Sequence, residues 1–430
     1  MRKVSCTQAL LFFVLASLIG VVLWSAQTKA QTKSHFKKDK YQLLETRKVT
    51  EASVCWLWRI GEKNQLYPFL QQQAHQIIFT NPEGKPIATY AYLPNAEITG
   101  SPTRKYLSTV TLEASATPFA ELKTICFHVY NHLGEKQYQI KQSIGYDDPL
   151  PKCYLLDCGE AILANAALGK LELFSSMGQS KKHILLFSKN VFSYEKPMSL
   201  ALSKYDQFMA IVTQLEPATL DPLSGQSRSG QPFLFYYSKD GQELWRKPLS
   251  EQTAGRVDIS PDGMFCVVSH FSSLGQHSES RLTEIYDFSG ERIMRLNTLF
   301  QQAAFSDDNR YLALANHDQW QLIDLIQKQP LWHSQTQQNR LIIDVRFHPS
   351  SKILGLLTGD NEWIGNKFVF THPKLQLHDI QGKLLWEYEF SPEQIEVPSF
   401  AFADSEMRFG IGFRYSYRIY EDKSDFGSKR

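Results

Sequence analysis

The sequence predicts an all-β protein made of repeated antiparallel units, and three observations lead to this prediction. Residues 256–271, RVDISPDGMFCVVSHF, have the pattern of a strand, a tight turn over residues 260–263 and a second strand. Aromatic residues, which are enriched in strands, make up 13% of the chain. Six segments of this kind recur at intervals of 42 to 57 residues, aligned at Asp157, Ser203, Ser260, Ser306, His348 and Ala403. Such intervals suit the four-stranded blade of a β-propeller, so we expect six or seven blades.

A second pattern has the same period as the first. Each unit is followed by another strand pair around a polar turn, as at Asp240-Gly241, Ser289-Gly290 and Gln381-Gly382. Trp245, Trp332 and Trp386 occupy equivalent places after these turns. Residues 260–263 resemble the inner turn of WD-like, TolB-type blades, and GQELW and GKLLW resemble the outer strand of quinoprotein-type blades. The resemblance covers residues 150–422 and implies a propeller domain over 149–424, with 425–430 as a tail.

The last repeat contains a third strand, YSYRIYE, but no fourth. A propeller avoids a free sheet edge by closing its ring. We therefore expect a strand from the segment before Cys153 to complete the last blade.

Residues 47–148 show short strands and turns, which predict a small β-sandwich. Asp147-Asp148-Pro149-Leu150-Pro151 interrupts the pattern and marks the expected domain boundary. Cys55 and Cys126 lie in opposite halves of this region beside aromatic residues, so a disulfide between them is expected. The region loosely resembles immunoglobulin-like and fibronectin-type-III-like domains. Cys266 is predicted to be a free buried thiol, and whether Cys153 and Cys158 form a disulfide stays open.

The N-terminus predicts export. Arg2 and Lys3 precede an apolar run over residues 9–24, and small or polar residues follow up to Gln31. Residues 1–30 are therefore a signal peptide or an uncleaved membrane anchor, and residues 31–46 a lysine-rich linker. The protein is expected in the periplasm, at the cell surface or outside the cell.

Charge and motifs exclude several functions. Lys and Arg total 46 against 44 Asp and Glu, a formal charge of +2, so no nucleic-acid partner is expected. No Gly-x-Ser-x-Gly, HExxH or cysteine–histidine signature occurs, and no histidine pair has a carboxylate at ligand spacing along the chain. The quinoprotein resemblance brings no matching cofactor or calcium motif. We therefore predict no catalytic residue, no metal and no cofactor.

Three connections between the second and third strands of a blade are expanded, over residues 216–232, 272–281 and 360–373. Repeat proteins place such insertions on the face that binds. The predicted function is a monomeric, non-catalytic interaction scaffold with a protein partner. The alternative is a propeller enzyme, a quinone-dependent dehydrogenase, lyase or hydrolase, with its site over the central channel. The predicted binding residues are Arg228, His277, Arg281, Trp363, Asn366 and His372.

Overall fold

The computed structural model describes most of the chain after residue 40. The described residues are 41–48, 52–60, 65–72, 76–81, 85–93, 96, 98–113, 122–145, 148–165, 168–186, 198–214, 219–220, 227–228, 232–250, 253–274, 278–336, 340–364, 367–396, 400–403 and 408–422. None of them belongs to a helix long and apolar enough to cross a membrane. Residues 9–24, for which an anchor helix or signal was predicted, lie outside this set, as does the tail 425–430.

All regular elements of the described residues are β-strands. The first half of the chain contains β1 (Tyr41–Lys48), β2 (Ala52–Ile60), β3 (Gln65–Gln72), β4 (Gln76–Thr80), β5 (Pro86–Ala91), β6 (Thr99–Gly100), β7 (Tyr106–Leu112), β8 (Leu122–Asn131), β9 (Lys136–Gly145), β10 (Lys152–Leu155), β11 (Ala161–Asn165), β12 (Lys170–Phe174), β13 (Ser180–Leu185), β14 (Met198–Leu202), β15 (Phe208–Gln214), β16 (Thr219–Leu220) and β17 (Ser227–Arg228).

The second half contains β18 (Pro232–Ser238), β19 (Glu243–Pro248), β20 (Thr253–Ile259), β21 (Phe265–Leu274), β22 (Ser278–Asp287), β23 (Arg292–Leu296), β24 (Gln302–Phe305), β25 (Tyr311–Asn316), β26 (Gln319–Asp324), β27 (Gln329–Gln335), β28 (Arg340–Phe347), β29 (Ile353–Ile364), β30 (Lys367–Asp379), β31 (Leu384–Glu389), β32 (Gln394–Ile395), β33 (Phe400–Phe402), β34 (Arg408–Gly412) and β35 (Ser416–Asp422).

The described strands form eight antiparallel sheets that each contain a four-stranded path. In chain order of their first strands they are sheet 1 (β2–β5), sheet 2 (β6–β9), sheet 3 (β10–β13), sheet 4 (β14, β15, β18, β19), sheet 5 (β20–β23), sheet 6 (β24–β27), sheet 7 (β28–β31) and sheet 8 (β33, β34, β35, β1). The short strand β32 pairs with β30, and β16 pairs with β17. This topology is that of a β-propeller, which confirms the predicted fold class.

Apolar side chains join each sheet to the next around a ring. Sheets 4 and 5 share a core that includes Tyr236, Val257 and Cys266, and sheets 5 and 6 share one that includes Val267 and Leu312. The second strands are buried on both faces because each lies between two neighbouring sheets, which explains the continuous apolar run FCVV. The strand β2 of sheet 1 packs against β33 and β34 of sheet 8, so the ring is closed.

An N-terminal strand completes the last sheet, whereas the sequence predicted a strand from the segment before Cys153. The strand β1 pairs antiparallel with β35 from Tyr41↔Asp422 to Lys48↔Ser416. The ring of Tyr41 packs edge-on against Trp386 and Phe409, with centroids 5.1 and 5.3 Å apart. Residues 41–46, which were assigned to the linker, are therefore part of this strand.

Residues 47–148 do not form the predicted sandwich. They contribute sheets 1 and 2, whose strands follow one another in chain order, and Ile77 and Phe79 of sheet 1 pack against Leu107 of sheet 2 as at other seams of the ring. Residues 40–430 form one compact unit without a boundary near residue 148. The described strands thus form eight sheets with four-stranded paths, where the sequence predicted six or seven blades.

The predicted Cys55–Cys126 disulfide is also not formed. Cys126 is a buried free thiol in β8, the third strand of sheet 2, while Cys55 lies in β2, the first strand of sheet 1. First and third strands of adjacent sheets lie at different distances from the ring axis, so the bridge expected across a sandwich has no equivalent here. Cys153, Cys158 and Cys266 are free as well, and Cys266 is the buried thiol that was predicted.

Two faces of the ring follow from the antiparallel order. The turn face is the end of the sheets where first and second strands connect, as at residues 260–264, and the hairpin face is the opposite end, where second and third strands connect. On the turn face Gly263 adopts φ +80, and Asp206, Asn309 and Ser351 take the same left-handed place in their own turns. The sequence prediction of a shared inner turn is confirmed.

Neighbouring turns on the turn face are linked by hydrogen bonds. The backbone N–H groups of Asp157 and Cys158 donate to the carboxylate of Asp206 at 2.8 and 2.6 Å, and the N–H of Asp308 donates to Ser351 Oγ at 3.1 Å. The carboxylate of Asp262 accepts from Ser260 Oγ at 2.8 Å within its own turn. These carboxylates therefore have the structural role expected of turn residues.

Candidate functional site

The three expanded connections all leave the ring at the hairpin face. They join β15 to β18, β21 to β22, and β29 to β30, which are the second and third strands of sheets 4, 5 and 7. In an antiparallel sheet this connection lies at the end opposite the first turn. The described residues of the predicted connections 272–281 and 360–373 continue the strands β21, β22, β29 and β30.

The structure describes three of the six predicted binding residues with their side chains. Arg281, Trp363 and His372 are exposed. Arg228 lies in β17, but its side chain is outside the described set, as are all atoms of His277 and Asn366. Arg281 belongs to sheet 5, whereas Trp363 and His372 belong to sheet 7, so the structure does not gather the three around one point.

The tip of the β29–β30 hairpin presents two aromatic side chains to solvent. Trp363 pairs with Phe368 in the strand register. Their rings meet edge-on, with centroids 4.2 Å apart, and each side chain is 60% exposed. Ile364 beside them is also exposed. Large apolar side chains grouped in this way mark interaction sites more often than scattered single ones do.

The base of this hairpin is fixed by ionic contacts. The carboxylate of Asp360 lies 3.4 Å from Arg340 Nε and 3.2 Å from His372 Nδ1. Arg340 also donates to the His372 carbonyl at 3.0 Å. His372, predicted to bind a partner, therefore has a structural contact that its distance along the chain from Asp360 concealed.

Contacts nearer the tip of the β29–β30 hairpin also hold it in place. Thr371 Oγ1 donates to Glu362 Oε1 at 2.8 Å, and Phe370 pairs in register with Ile395 of β32. Val369 is buried. One side of the hairpin therefore packs on the ring, while Trp363 and Phe368 remain on the solvent side.

A cavity of about 770 Å³ lies on the hairpin face between sheets 5 and 6. Arg281 lines it together with Arg256, Gln301 and His317. The guanidinium of Arg256 donates to the Gln301 carbonyl, and Gln301 Nε2 lies 3.1 Å from His317 Nε2. No carboxylate is among the described residues that line it, so this part of the face is basic.

The first strands of sheets 2 to 8 surround a central channel of about 1300 Å³. Buried residues such as Val257 and Ile259 alternate along these strands with polar residues that line the channel, such as Asp258. Burial raises the pKa of Asp258 to about 6, although the N–H of Ile259 and the charge of Arg256 act in the opposite direction. The alternation is present in the sequence, but no residue was predicted to line the channel.

A buried carboxylate lies between sheets 4 and 5. Glu284 Oε2 is 3.2 Å from His270 Nε2 and accepts from Tyr286 at 2.7 Å, and Arg292 donates to its other oxygen at 2.6 Å. Burial alone would raise its pKa, but hydrogen bonds from these three groups outweigh burial and lower the pKa of Glu284 to about 2. The charged network is complete in itself, which indicates a structural role.

No group of three or more metal-ligating side chains occurs within the described ranges. The pairs His270–Glu284 and His372–Asp360 each bring one histidine to one carboxylate across strands. Two ligands are fewer than a structural metal site requires. The absence of metal, cofactor and catalysis stays a prediction.

Comparisons with known proteins show the fold. No protein-family model and no curated protein matches the chain. Among solved structures, the Dos1 propeller matches over 90% of this chain and 96% of its own, with 11% identity and a TM-score of 0.54. Kuenenia stuttgartiensis hydrazine synthase matches over 73% of this chain and 94% of its own, with 12% identity and a TM-score of 0.45. The first match supports the propeller architecture, and neither assigns an activity to this chain.

Proposed function

We propose that this protein is an exported, non-catalytic β-propeller that binds a protein partner through its hairpin face. The observation that carries the proposal is the exposed pair Trp363 and Phe368 at the tip of the β29–β30 hairpin. Covering two such rings removes a large apolar area from water, which favours association. Aromatic anchors of this kind dominate the binding free energy of many protein interfaces.

The way the hairpin is held supports the same proposal. Asp360, His372 and Arg340 fix its base, and β32 supports its middle. A side chain that is already positioned loses less conformational entropy on binding than one on a free loop. The pair therefore forms a prearranged anchor for an apolar cleft on the partner.

The basic cavity between sheets 5 and 6 indicates which charge to expect on a second region of the partner's surface. Arg256 and Arg281 lie on the same face as Trp363, with sheet 6 between them. A partner that covers both sites would meet apolar contacts at sheet 7 and positive charge at sheet 5. We expect acidic side chains on the partner at the second position.

The test uses a photo-crosslinking amino acid in place of Trp363 in the full chain, produced in its native cells. The same amino acid in place of Met177, which is exposed on the turn face, is the control. A partner identified from the first protein is purified, and its affinity is measured by calorimetry for wild type, Trp363→Ser/Phe368→Ser and Met177→Ser/Ile326→Ser. Ile326 is likewise exposed, in the turn between the third and fourth strands of sheet 6.

We expect the hairpin variant to lose about 30-fold or more in affinity, as removal of an aromatic anchor does, and the control to stay within about twofold of wild type. Equal affinity of the hairpin variant and wild type would overturn the proposed face. So would crosslinks at residue 177 to the same partner with none at residue 363.

The export part of the proposal is tested by sequencing the N-terminus of the protein from its native cells. A start at Gln31 is the result expected for a cleaved signal peptide, and a start at Met1 in the membrane fraction for an anchor. A start at Met1 in the soluble cytoplasmic fraction would contradict export.

A further inference from the structure

The β29–β30 hairpin extends well beyond the strand that borders it on the inner side of sheet 7. In sheets 3, 4 and 6 the second strand ends one residue past its last pair with the first strand. In sheet 7 the last such pair is Arg340 with Asp360, and β29 continues for the four residues 361–364. This part of β29 has β30 on one side, and no described strand pairs with it on the other.

The chain that leads into β28 is held at the base of the hairpin and not along this edge. The N–H of Thr336 donates to the Asp318 carbonyl of sheet 6 at 2.7 Å, and Thr336 Oγ1 donates to the Arg340 carbonyl at 2.5 Å. Four residues of an extended strand would span about 13 Å, far more than this contact allows. Residues 361–364 are all exposed, as expected for an edge that the ring does not cover.

The strand register shows which backbone groups point outward from this edge. Ile364 pairs with Lys367, and only two residues separate them along the chain, so this pair is joined by hydrogen bonds as in a two-residue hairpin. Hydrogen-bonded and non-hydrogen-bonded pairs alternate along antiparallel strands. Asn361 and Trp363 therefore direct their N–H and C=O groups away from β30. These two donors and two acceptors are the groups with which an incoming strand pairs.

The side chains beside the edge are suited to the same kind of contact. Trp363 and Phe368 lie on one face of the hairpin, with ring centroids 4.2 Å apart. Glu362 and Ile364 alternate with Trp363 and lie on the other face, where Glu362 accepts from Thr371 Oγ1 at 2.8 Å. A strand added next to β29 would place one of its own side chains beside the indole of Trp363. Aromatic and β-branched residues form favourable cross-strand pairs with an aromatic ring.

We propose that the protein partner supplies an extended segment that pairs with residues 361–364 of β29 and adds a third strand to the hairpin. This inference rests on the proposed function and defines the form of the partner that the aromatic pair binds. In this mode of recognition, main-chain hydrogen bonds provide affinity and alternate side chains provide specificity. We expect an aromatic or β-branched residue of the partner opposite Trp363. A partner that covers only the two rings would leave the backbone groups of Asn361 and Trp363 unpaired.

The probe is a linear peptide selected from a displayed library of sequences of about ten residues, the length of a long strand. Selection uses the immobilised full chain, with Trp363→Ser/Phe368→Ser for counter-selection. The affinity of the full chain is then measured for peptides in which each backbone amide is methylated in turn. In the protein, Trp363 is replaced by its α-hydroxy acid, which removes the outward N–H and keeps the indole. The same replacement of Trp245, on the outer strand of sheet 4, is the matched control.

Hydrogen exchange of the unmodified chain provides a second measurement that needs no variant. The amides of Asn361 and Trp363 should exchange rapidly in the free protein and about tenfold or more slowly when the peptide is bound, because they become hydrogen-bonded. The amides of Glu362 and Ile364, which already bond to β30, should change much less. Circular dichroism and thermal melting show that both hydroxy-acid proteins are folded.

We expect methylation of the peptide to lower affinity by about tenfold at every second residue and by less than about threefold at the residues between. The hydroxy acid should lower affinity by about fivefold or more at residue 363 and by less than about twofold at residue 245. The proposal is overturned if no peptide is selected, if the effect of methylation does not alternate, or if the amides of Asn361 and Trp363 are not protected. Self-association of the chain through this edge would also overturn it and identify a second copy as the occupant.

These outcomes are distinct from failure of the proposed function. If the crosslinked partner depends on the rings of Trp363 and Phe368 but peptide binding does not protect the edge amides, the hairpin face still binds a protein and only the strand pairing is wrong. If no partner is crosslinked at residue 363, the proposed function fails, and this inference fails with it.

Discussion

Two adjacent seams of the ring use equivalent tryptophans in different ways. At the seam of sheets 6 and 7, Trp332 Nε1 donates to the Ile380 carbonyl at 3.1 Å, in the turn between the third and fourth strands of sheet 7. At the seam of sheets 7 and 8, the equivalent Trp386 is buried, and its Nε1 has no hydrogen-bond partner among the described residues. The third and fourth strands of sheet 8 come from opposite ends of the chain, so no turn joins them to supply a carbonyl.

The difference shows that the closing seam depends on aromatic packing rather than on the repeated hydrogen bond. Trp386 lies within 5.1 Å of Tyr41 and 5.5 Å of Phe409, measured between ring centroids. Such contacts stabilise through buried area and ring geometry and tolerate a strand that arrives from elsewhere. Aromatic packing can therefore take the place of the indole hydrogen bond at the seam where the chain connectivity differs.

The strongest way to break this comparison is to remove β1. A chain that begins at residue 49 should lose more than about 5 kcal/mol of unfolding free energy, because β35 becomes an open edge and the aromatic contacts of Tyr41 disappear. Urea denaturation followed by tryptophan fluorescence measures the loss. A chain that begins at residue 41 is the control. Equal denaturation midpoints for the two chains would show that β1 does not close the ring.

Lowering the pH should destabilise the seam between sheets 4 and 5, because the carboxylate of Glu284 becomes protonated. Its pKa in the folded protein is about 2, below the ordinary value of 4.5, so its stabilising contribution is present above pH 4.5 and is lost as pH falls toward 2. We expect a loss of about 3 kcal/mol over this range in wild type and a much smaller one in Glu284→Gln. Denaturation curves at several pH values provide the measurement. Parallel pH profiles for the two proteins would contradict the assignment.

The turn of sheet 7 can be disturbed without touching sheet 8. Gly382 adopts φ +81, and a Cβ at this position would lie 2.9 Å from the ring of Trp332. Gly382→Ala should therefore cost about 2 kcal/mol, from backbone strain and displacement of the indole. Lys383→Ala, at an exposed position next to it, should change the unfolding free energy by less than about 0.5 kcal/mol. If the two variants unfold alike, the close contact is not significant.

The smallest expected effect comes from removing the indole N–H donor of Trp332 or of Trp386. Replacing tryptophan with 3-benzothienylalanine keeps the ring shape but removes the N–H donor. At residue 332 this should cost about 1 kcal/mol, the net value of one hydrogen bond, whereas at residue 386 it should be neutral or stabilising. Thermal unfolding of both proteins tests the difference, and an equal loss at both positions would refute the contrast between the seams.

The sequence predicted the architecture from its best-preserved repeats and missed it where the repeats diverge. Ser101-Pro102-Thr103-Arg104-Lys105-Tyr106 is another copy of the inner turn, related to residues 260–265, but it was assigned to a sandwich. Asn131-His132-Leu133-Gly134 is likewise the turn between the third and fourth strands of sheet 2, with Gly134 at φ 77. A strand pattern specifies hairpins, and it does not specify whether adjacent sheets stack as a sandwich or pack around an axis.

The candidate sites show the same limit. The exposed Trp363 was predicted because it lies in an expanded connection, and a local insertion is a local signal. The pairing of His372 with Asp360 depends on the register of the β29–β30 hairpin. Contacts of that kind have no spacing rule along the chain, so a single sequence does not reveal them.

The pairing of Tyr41 with Asp422 also sets the order in which the protein can be completed. During synthesis, β1 is made before the other described strands, and its partner β35 is made after them. Until the ribosome has made residues 416–422, the first strand has no edge to join, and sheets 1 to 7 form an open arc. Every product that stops short of this point leaves two unpaired edges, which are sites for association with other chains. Ring closure thus makes synthesis of residues 416–422 the condition for a protected molecule.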